Sequence, residues 1–181
     1  MTTTSILWLA LATIALLLAL LLLYAAARPD HFRITRSAVI KAPAARIFAL
    51  INDLRSFNNW NPYEKKEPGL KGSYSGPASG VGAAYAWEGK KVGSGRMEIT
   101  AVDAPNKLTL RLDFLKPFKA QNSVEFTLLP QGDNLTVVTW AMHGPSPYIS
   151  KLMDVVIDMD RMIGKDFEAG LANLKALTEG R

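Results

Sequence analysis

Lys107-Leu-Thr-Leu-Arg-Leu-Asp-Phe-Leu115 alternates without a break. Leu108, Leu110, Leu112 and Phe114 fall on one face, and Thr109, Arg111 and Asp113 on the other. Side chains of a strand point alternately to opposite faces, so this stretch reads as a strand with one buried and one wet face. The same pattern recurs on both sides of it. Downstream, Lys116-Pro117 breaks the strand, Val124, Phe126 and Leu128 alternate with Glu125 and Thr127, and the Pro130–Asn134 turn leads into Leu135–His143. Upstream, Gly82–Trp87 and Lys91–Val102 flank a turn at Glu88-Gly89-Lys90, and Asp103–Asn106 is the next turn. Strands with one apolar and one polar face are the mark of an antiparallel sheet solvated on one side.

Helices lie before and after this sheet. Phe32–Lys41 has strand character, and Pro43 then opens a helix to about Leu54 with Ile47, Phe48, Leu50, Ile51 and Leu54 at helical spacing. A second short helix or turn covers Ser56–Trp60 and stops before Pro62. At the other end, Ser146 reads as the N-cap and Pro147 as the first residue of one long helix. Its apolar stripe runs Tyr148, Leu152, Val155, Met159, Ile163, Phe167, Gly170, Leu174 and Leu177. The fold class is α+β, the long helix lying across the apolar concave face of the sheet.

A different kind of segment precedes all this. Residues 1–27 carry no charged side chain, and Ile6–Ala27 is an apolar run interrupted only by Thr13. At the helical rise the run is ~33 Å long, close to the thickness of bilayer hydrocarbon. The alternatives are a cleaved signal peptide, with Ala25-Ala26-Ala27 as the cleavage site, and a buried helix. The first five residues lack the Lys or Arg of a signal n-region and the run exceeds a typical h-region, which favours a permanent anchor. Arg28, Arg33, Arg36 and Lys41 crowd the C-terminal flank, so the rule that basic flanks stay cytoplasmic predicts an outside N-terminus and an inside domain, with Tyr24 at the inner interface. The expected organisation is an N-terminal tail over 1–5, a transmembrane helix over 6–27, a linker over 28–33, one domain over 34–178 and a C-terminal tail over 179–181.

Composition narrows the chemistry. The chain has no cysteine, which excludes disulfides, thiolate-held zinc and thiol catalysis. The net charge of +5 lies after residue 27, where it favours an anionic leaflet. Basic and acidic residues are interspersed with no Lys/Arg stripe, so nucleic acid is not an expected partner.

Element order and short motifs resemble the SRPBCC superfamily (START-like, helix-grip proteins), most nearly its bacterial polyketide cyclase/dehydrase-like branch. The matching stretches are Lys41–Phe48, Phe57–Pro62, Tyr74–Pro77, Gly80–Gly82 with Tyr85–Trp87, Val92–Gly95, Thr139–Gly144, Met162–Phe167 and Gly170–Leu174. They span about residues 33–178, and the N-terminal apolar run is outside the family pattern. The resemblance implies a seven-stranded antiparallel sheet gripping the C-terminal helix, two short helices after strand 1, and a hydrophobic cavity between sheet and helix.

In that arrangement Met97, Leu110, Leu112, Phe114, Val124 and Phe126 face the helix stripe. Trp87, Trp140 and Met142 join them, Met159 and Ile163 come from the helix, and Trp60 stands at an entrance. The same residues also fit a dry core. Gly170 on the buried stripe reads as close helix–sheet approach or as room for a ligand, and Gly164 is a second glycine within the helix. Catalytic signals are sparse. Tyr74, Tyr85 and Glu88 are the acid–base candidates, and no catalytic residue is assigned. His31 and His143 lack ligand-spaced partners, so neither a metal nor a cofactor is expected. Glu98, Arg111, Asp113 and Glu125 read as ion pairs on the wet sheet face. The expectation is a membrane-anchored binding protein for a hydrophobic small molecule or lipid. The alternatives are a cyclase/dehydratase-type enzyme and an interaction module with a collapsed cavity.

Overall fold

The structure is a computed structural model and describes residues 2–180. It separates into two compact units, the larger holding Arg33–Gly144 with the chain from Asp160 onward, the smaller holding the chain up to Phe32 with Pro145–Met159.

The strands that build the larger unit are β1 (His31–Ile40), β2 (Lys71–Ser75), β3 (Ala84–Glu88), β4 (Ser94–Asp103), β5 (Lys107–Lys116), β6 (Ala120–Pro130) and β7 (Thr136–Pro145). They form one sheet in the order β1-β7-β6-β5-β4-β3-β2. Between β1 and β2 run α2 (Ala44–Asn52), α3 (Leu54–Trp60) and α4 (Pro62–Lys66), and the chain closes with α6 (Met159–Glu179). This is the α+β, helix-grip arrangement: a seven-stranded antiparallel sheet with a long C-terminal helix.

Register turns the alternation into rows. Leu108, Phe126 and Trp140 are directly paired across β5, β6 and β7. The next row is Ile99, Leu110, Val124 and Met142, and the next Tyr85, Met97, Leu112 and Asn122. The last is Trp87, Gly95, Phe114 and Ala120. Register shifts at Ser94/Gly95 and Ile99/Ala101 are bulges, which bend and twist the sheet. On the opposite face Glu98 is paired in register with Arg111, and Arg111 Nη2 lies 3.0 Å from Glu98 Oε2. Lys107 and Arg33 both reach Glu125, at 2.9 and 3.3 Å. These exposed pairs are screened by solvent and contribute little to stability.

The structure corrects three expectations. The second short helix does stop at Trp60, before Pro62, but Pro62 opens a further helix, α4, with the Asn61 side chain accepting from the Tyr63 N–H, so three short helices rather than two follow β1. Pro43 and Pro147 are N-caps rather than first helical residues, and the Ser146 side chain caps nothing. The long C-terminal helix is two helices, α5 (Tyr148–Val156) and α6, with Ile157 in extended conformation between them. Val155-Val156-Ile157 is a β-branched run of low helix propensity, and Asp158 is a residue type favoured directly before a helix. Accordingly the buried line of α6 is Gly164, Phe167, Gly170, Leu171, Leu174 and Thr178, while Leu177 is exposed.

The smaller unit contains α1 (Thr3–Ala27) and α5. The stretch after α1 is tied to α5. Arg28 pairs with Asp154 at 2.8 Å, Lys151 Nζ donates to Asp30 at 2.6 Å, and the Ser146 N–H donates to the Asp30 carbonyl at 2.6 Å.

Candidate functional site

The rows of the concave face differ in how far they are sealed. Phe126, Trp140, Leu110, Ile99 and Met142 are buried. Phe57 and Trp60 from α3 and Phe167 from α6 close over the first row. The Trp140 and Phe167 rings stack at 4.2 Å, Phe126 lies 5.0 Å from Trp140, and Trp60 lies 5.7 Å from it. Trp60 is 1% exposed and its indole N–H donates to the Leu50 carbonyl, so it is a core ring and not an entrance residue. Glycine decides how close the helix comes. A Cβ on Gly170 would stand 2.6 Å from Trp140 Cζ3, so close approach and not ligand space accounts for that glycine. A Cβ on Gly164 would collide with the Arg36 guanidinium, which crosses α6 there to pair with Asp160 at 2.9 Å and Glu168 at 2.8 Å.

Further along the same face the sealing ends. Met97, Leu112, Trp87 and Phe114 are only half-buried, as is Ile163 of α6. Trp87 and Phe114 meet edge to face at 6.0 Å, and Trp87 lies over Gly95, where a Cβ would be 2.5 Å from the indole. Two polar groups belong to this face. Asn122 is buried, its Oδ1 lying over Gly144. The Trp140 Nε1 is buried with no acceptor among the described residues. Mostly apolar walls with few polar groups are the ordinary make-up of a small-molecule site. Met159, the first residue of α6, belongs to the smaller unit, where its N–H is held by Asp154 Oδ1 at 3.0 Å.

Of the acid–base candidates, Tyr85 has a defined partner. It is buried on the concave face and its hydroxyl donates to Glu64 Oε1 at 2.6 Å, passing over Gly72, where a Cβ would collide with the ring. Burial, then the Glu64 carboxylate, push the Tyr85 phenol above its ordinary value, so it stays protonated near neutral pH. Glu64 gave no signal in the sequence because it lies on α4, a helix that reading Pro62 as a stop removes. Tyr74 accepts from Asn58 Nδ2 at 2.9 Å and lies under the Arg55 guanidinium at 4.3 Å. Glu88 ends β3 at the surface. A half-open cleft of about 200 Å³ lies between Leu54–Arg55 and the Tyr74–Ala84 segment, and it includes none of the concave-face rows. That volume is below the ~300–1,000 Å³ usual for a small-molecule pocket. Among the described residues no group of three or more His, Asp or Glu converges as a metal site.

The family described as "Polyketide cyclase / dehydrase and lipid transport" matches residues 31–179. No curated protein matches the chain. Among solved structures, protein Ms6760 of Mycobacterium smegmatis is 19% identical with a TM-score of 0.57, covering 82% of this chain and 91% of its own. The Aha1 dimer of Colwellia psychrerythraea is 16% identical with a TM-score of 0.58, covering 82% and 96%. A norcoclaurine synthase point mutant of Thalictrum flavum, in complex with a transition state analogue, is 13% identical with a TM-score of 0.60, covering 83% and 95%. At these identities the likeness is one of fold.

Proposed function

The chain belongs, over residues 31–179, to the polyketide cyclase / dehydrase and lipid transport family, and from that premise we propose that it is a membrane-anchored binding protein for a hydrophobic small molecule or lipid. The carrying observation is the half-buried apolar patch of Met97, Leu112, Trp87 and Phe114, from two adjacent rows of the sheet, beside a sealed aromatic end. Burying such a patch against a ligand is favourable by roughly 25 cal/mol per Å² of apolar surface. Asn122, in the same row as Met97 and Leu112, supplies a polar group that orients an oxygen-bearing ligand. Apolar α1 holds the domain at a bilayer in which such ligands dissolve, with its N-terminus outside and the domain on the cytoplasmic side.

The test is native mass spectrometry of the full chain released from detergent micelles, with organic extraction of what co-purifies. A stoichiometric apolar adduct is expected, and Leu112→Asp or Phe114→Asp removes it while circular dichroism is unchanged. An adduct-free wild-type chain that also fails to take up a fluorescent fatty acid or sterol overturns the reading. A second reading, a cyclase- or dehydratase-type enzyme, is favoured by the buried Tyr85–Glu64 pair. It requires turnover that Tyr85→Phe abolishes and that binding alone does not.

A further inference from the structure

α5 carries an apolar face that the fold leaves open. Ile149 is 65% exposed and Val156 81% exposed, with Met153 and Tyr148 also exposed. At about 100° per residue, Ile149, Met153 and Val156 lie within roughly 60° of one another on the helix surface. The opposite side of α5 is occupied. Lys151 is buried and paired with Asp30, and Asp154 is paired with Arg28. The helix therefore turns the charged Lys151 and Asp154 inward and Ile149, Met153 and Val156 outward, the reverse of a core helix.

Its position along α1 identifies what covers that face. The Tyr148 hydroxyl donates to the Leu22 carbonyl at 3.1 Å. Leu22 lies five residues before the end of α1, so the first turn of α5 sits beside α1 about 7.5 Å inside the helix end. A residue alongside that level of a spanning helix is at the depth of the lipid interface, where Tyr is favoured. Tyr24, two residues further along α1, is a second aromatic near that level, and Arg28 just past the helix end lies in cation–π contact with it at 5.9 Å. We infer that α5 is a second membrane-contacting element: an interfacial helix that lies on the leaflet from which α1 emerges and inserts Ile149, Met153 and Val156 among the lipids. The inference rests on the membrane-spanning reading of α1.

The chain has no cysteine, so single cysteines can be introduced cleanly. The full chain is reconstituted in phosphatidylcholine/phosphatidylglycerol vesicles with an environment-sensitive fluorophore at Ile149→Cys, Met153→Cys or Val156→Cys. Leu16→Cys in α1 and Asp133→Cys in the β6–β7 turn are the references. The expected result is blue-shifted α5 labels that lose fluorescence to lipids with a shallow nitroxide. The Leu16 label is then quenched by a deep nitroxide, and the Asp133 label stays at its aqueous emission. A quenched Leu16 with unquenched, red-emitting α5 labels overturns the inference and leaves the anchor standing. So do α5 labels that are blue-shifted, insensitive to nitroxide lipid and dependent on protein-to-lipid ratio, because a second copy then covers the face. An unquenched Leu16 label removes the anchor reading and this inference together.

Discussion

Gly170 and Trp140 are one packing decision made at two positions. The indole of Trp140 occupies the space where a side chain at 170 would begin, and Phe167 stacks on the same indole at 4.2 Å. Adding a methyl there forces the helix or the ring to move, at about 1–3 kcal/mol, against about 1 kcal/mol gained from alanine's helix propensity. Gly170→Ala is therefore expected to destabilise by up to about 2 kcal/mol in urea unfolding. Combined with Trp140→Phe the two losses sum to less than their separate values, because the smaller ring accepts the methyl. Additive losses would show that the contact at 170 is not the cause. Gly164 serves Arg36 in the same manner, since any side chain at 164 displaces the guanidinium from Asp160 and Glu168. Neither partner is visible from the glycine's own neighbourhood in the chain. Arg36 is more than a hundred residues away from the helix it crosses.

At the scale of elements, one carboxylate organises the turn after β3. Glu67 accepts from the backbone N–H groups of Lys90, Lys91 and Val92 at 2.7, 2.8 and 3.1 Å. Those hydrogen bonds hold its carboxyl below the ordinary value of 4.5. A depressed folded-state value means stability that is present above the unfolded value and lost as pH falls through the folded one. The wild type is thus expected to lose thermal stability progressively below about pH 4.5. Glu67→Gln lowers Tm at pH 7 and flattens the acid slope, since the neutral amide no longer titrates. An unchanged slope would remove Glu67 from the account. The α5–α6 break is a second element-level device. Asp154 accepts from the Met159 N–H across it and pairs with Arg28. Asp154→Ala is expected to cost about 1 kcal/mol, as loss of a helix cap does. Hydrogen exchange at Met159 accelerates, and Asp154→Asn retains part of the protection.

For the whole molecule, the anchor and the site make separate predictions. If α1 spans the bilayer, the chain stays in the membrane pellet through alkaline carbonate, and mass spectrometry of that fraction finds peptides from α1 still joined to the domain. A soluble protein beginning at Arg28 would identify a cleaved leader instead. Occupancy of the concave face is predicted to stabilise the fold by mass action with the logarithm of ligand excess, by about 2.7 kcal/mol at a hundredfold excess over Kd, and so to raise Tm. Leu112→Asp abolishes that shift, whereas a change on the wet face such as Arg111→Gln preserves it. Glu98 and Asp113 pair with Arg111 at the surface, so its loss costs little.

Much of this architecture is local in origin and was legible in the chain. Period-two alternation in Lys107–Leu115 and Val124–Leu128 sets which side chains share a sheet face, because successive Cβ atoms must alternate. The charge-free run over residues 1–27 determines a long apolar helix for the same local reason. Periodicity assigns a face but not a depth. That Trp60 and Trp140 are sealed while Leu112 and Phe114 on the same sheet are half-open depends on where α3 and α6 cross it. The Tyr85–Glu64 bond joins residues 21 positions apart through a helix whose opening proline looked like a stop. The turning of Lys151 and Asp154 inward on α5 required partners at Asp30 and Arg28, over a hundred residues earlier. Burial and pairing are properties of neighbours brought together by the fold, and only the tertiary structure decides them.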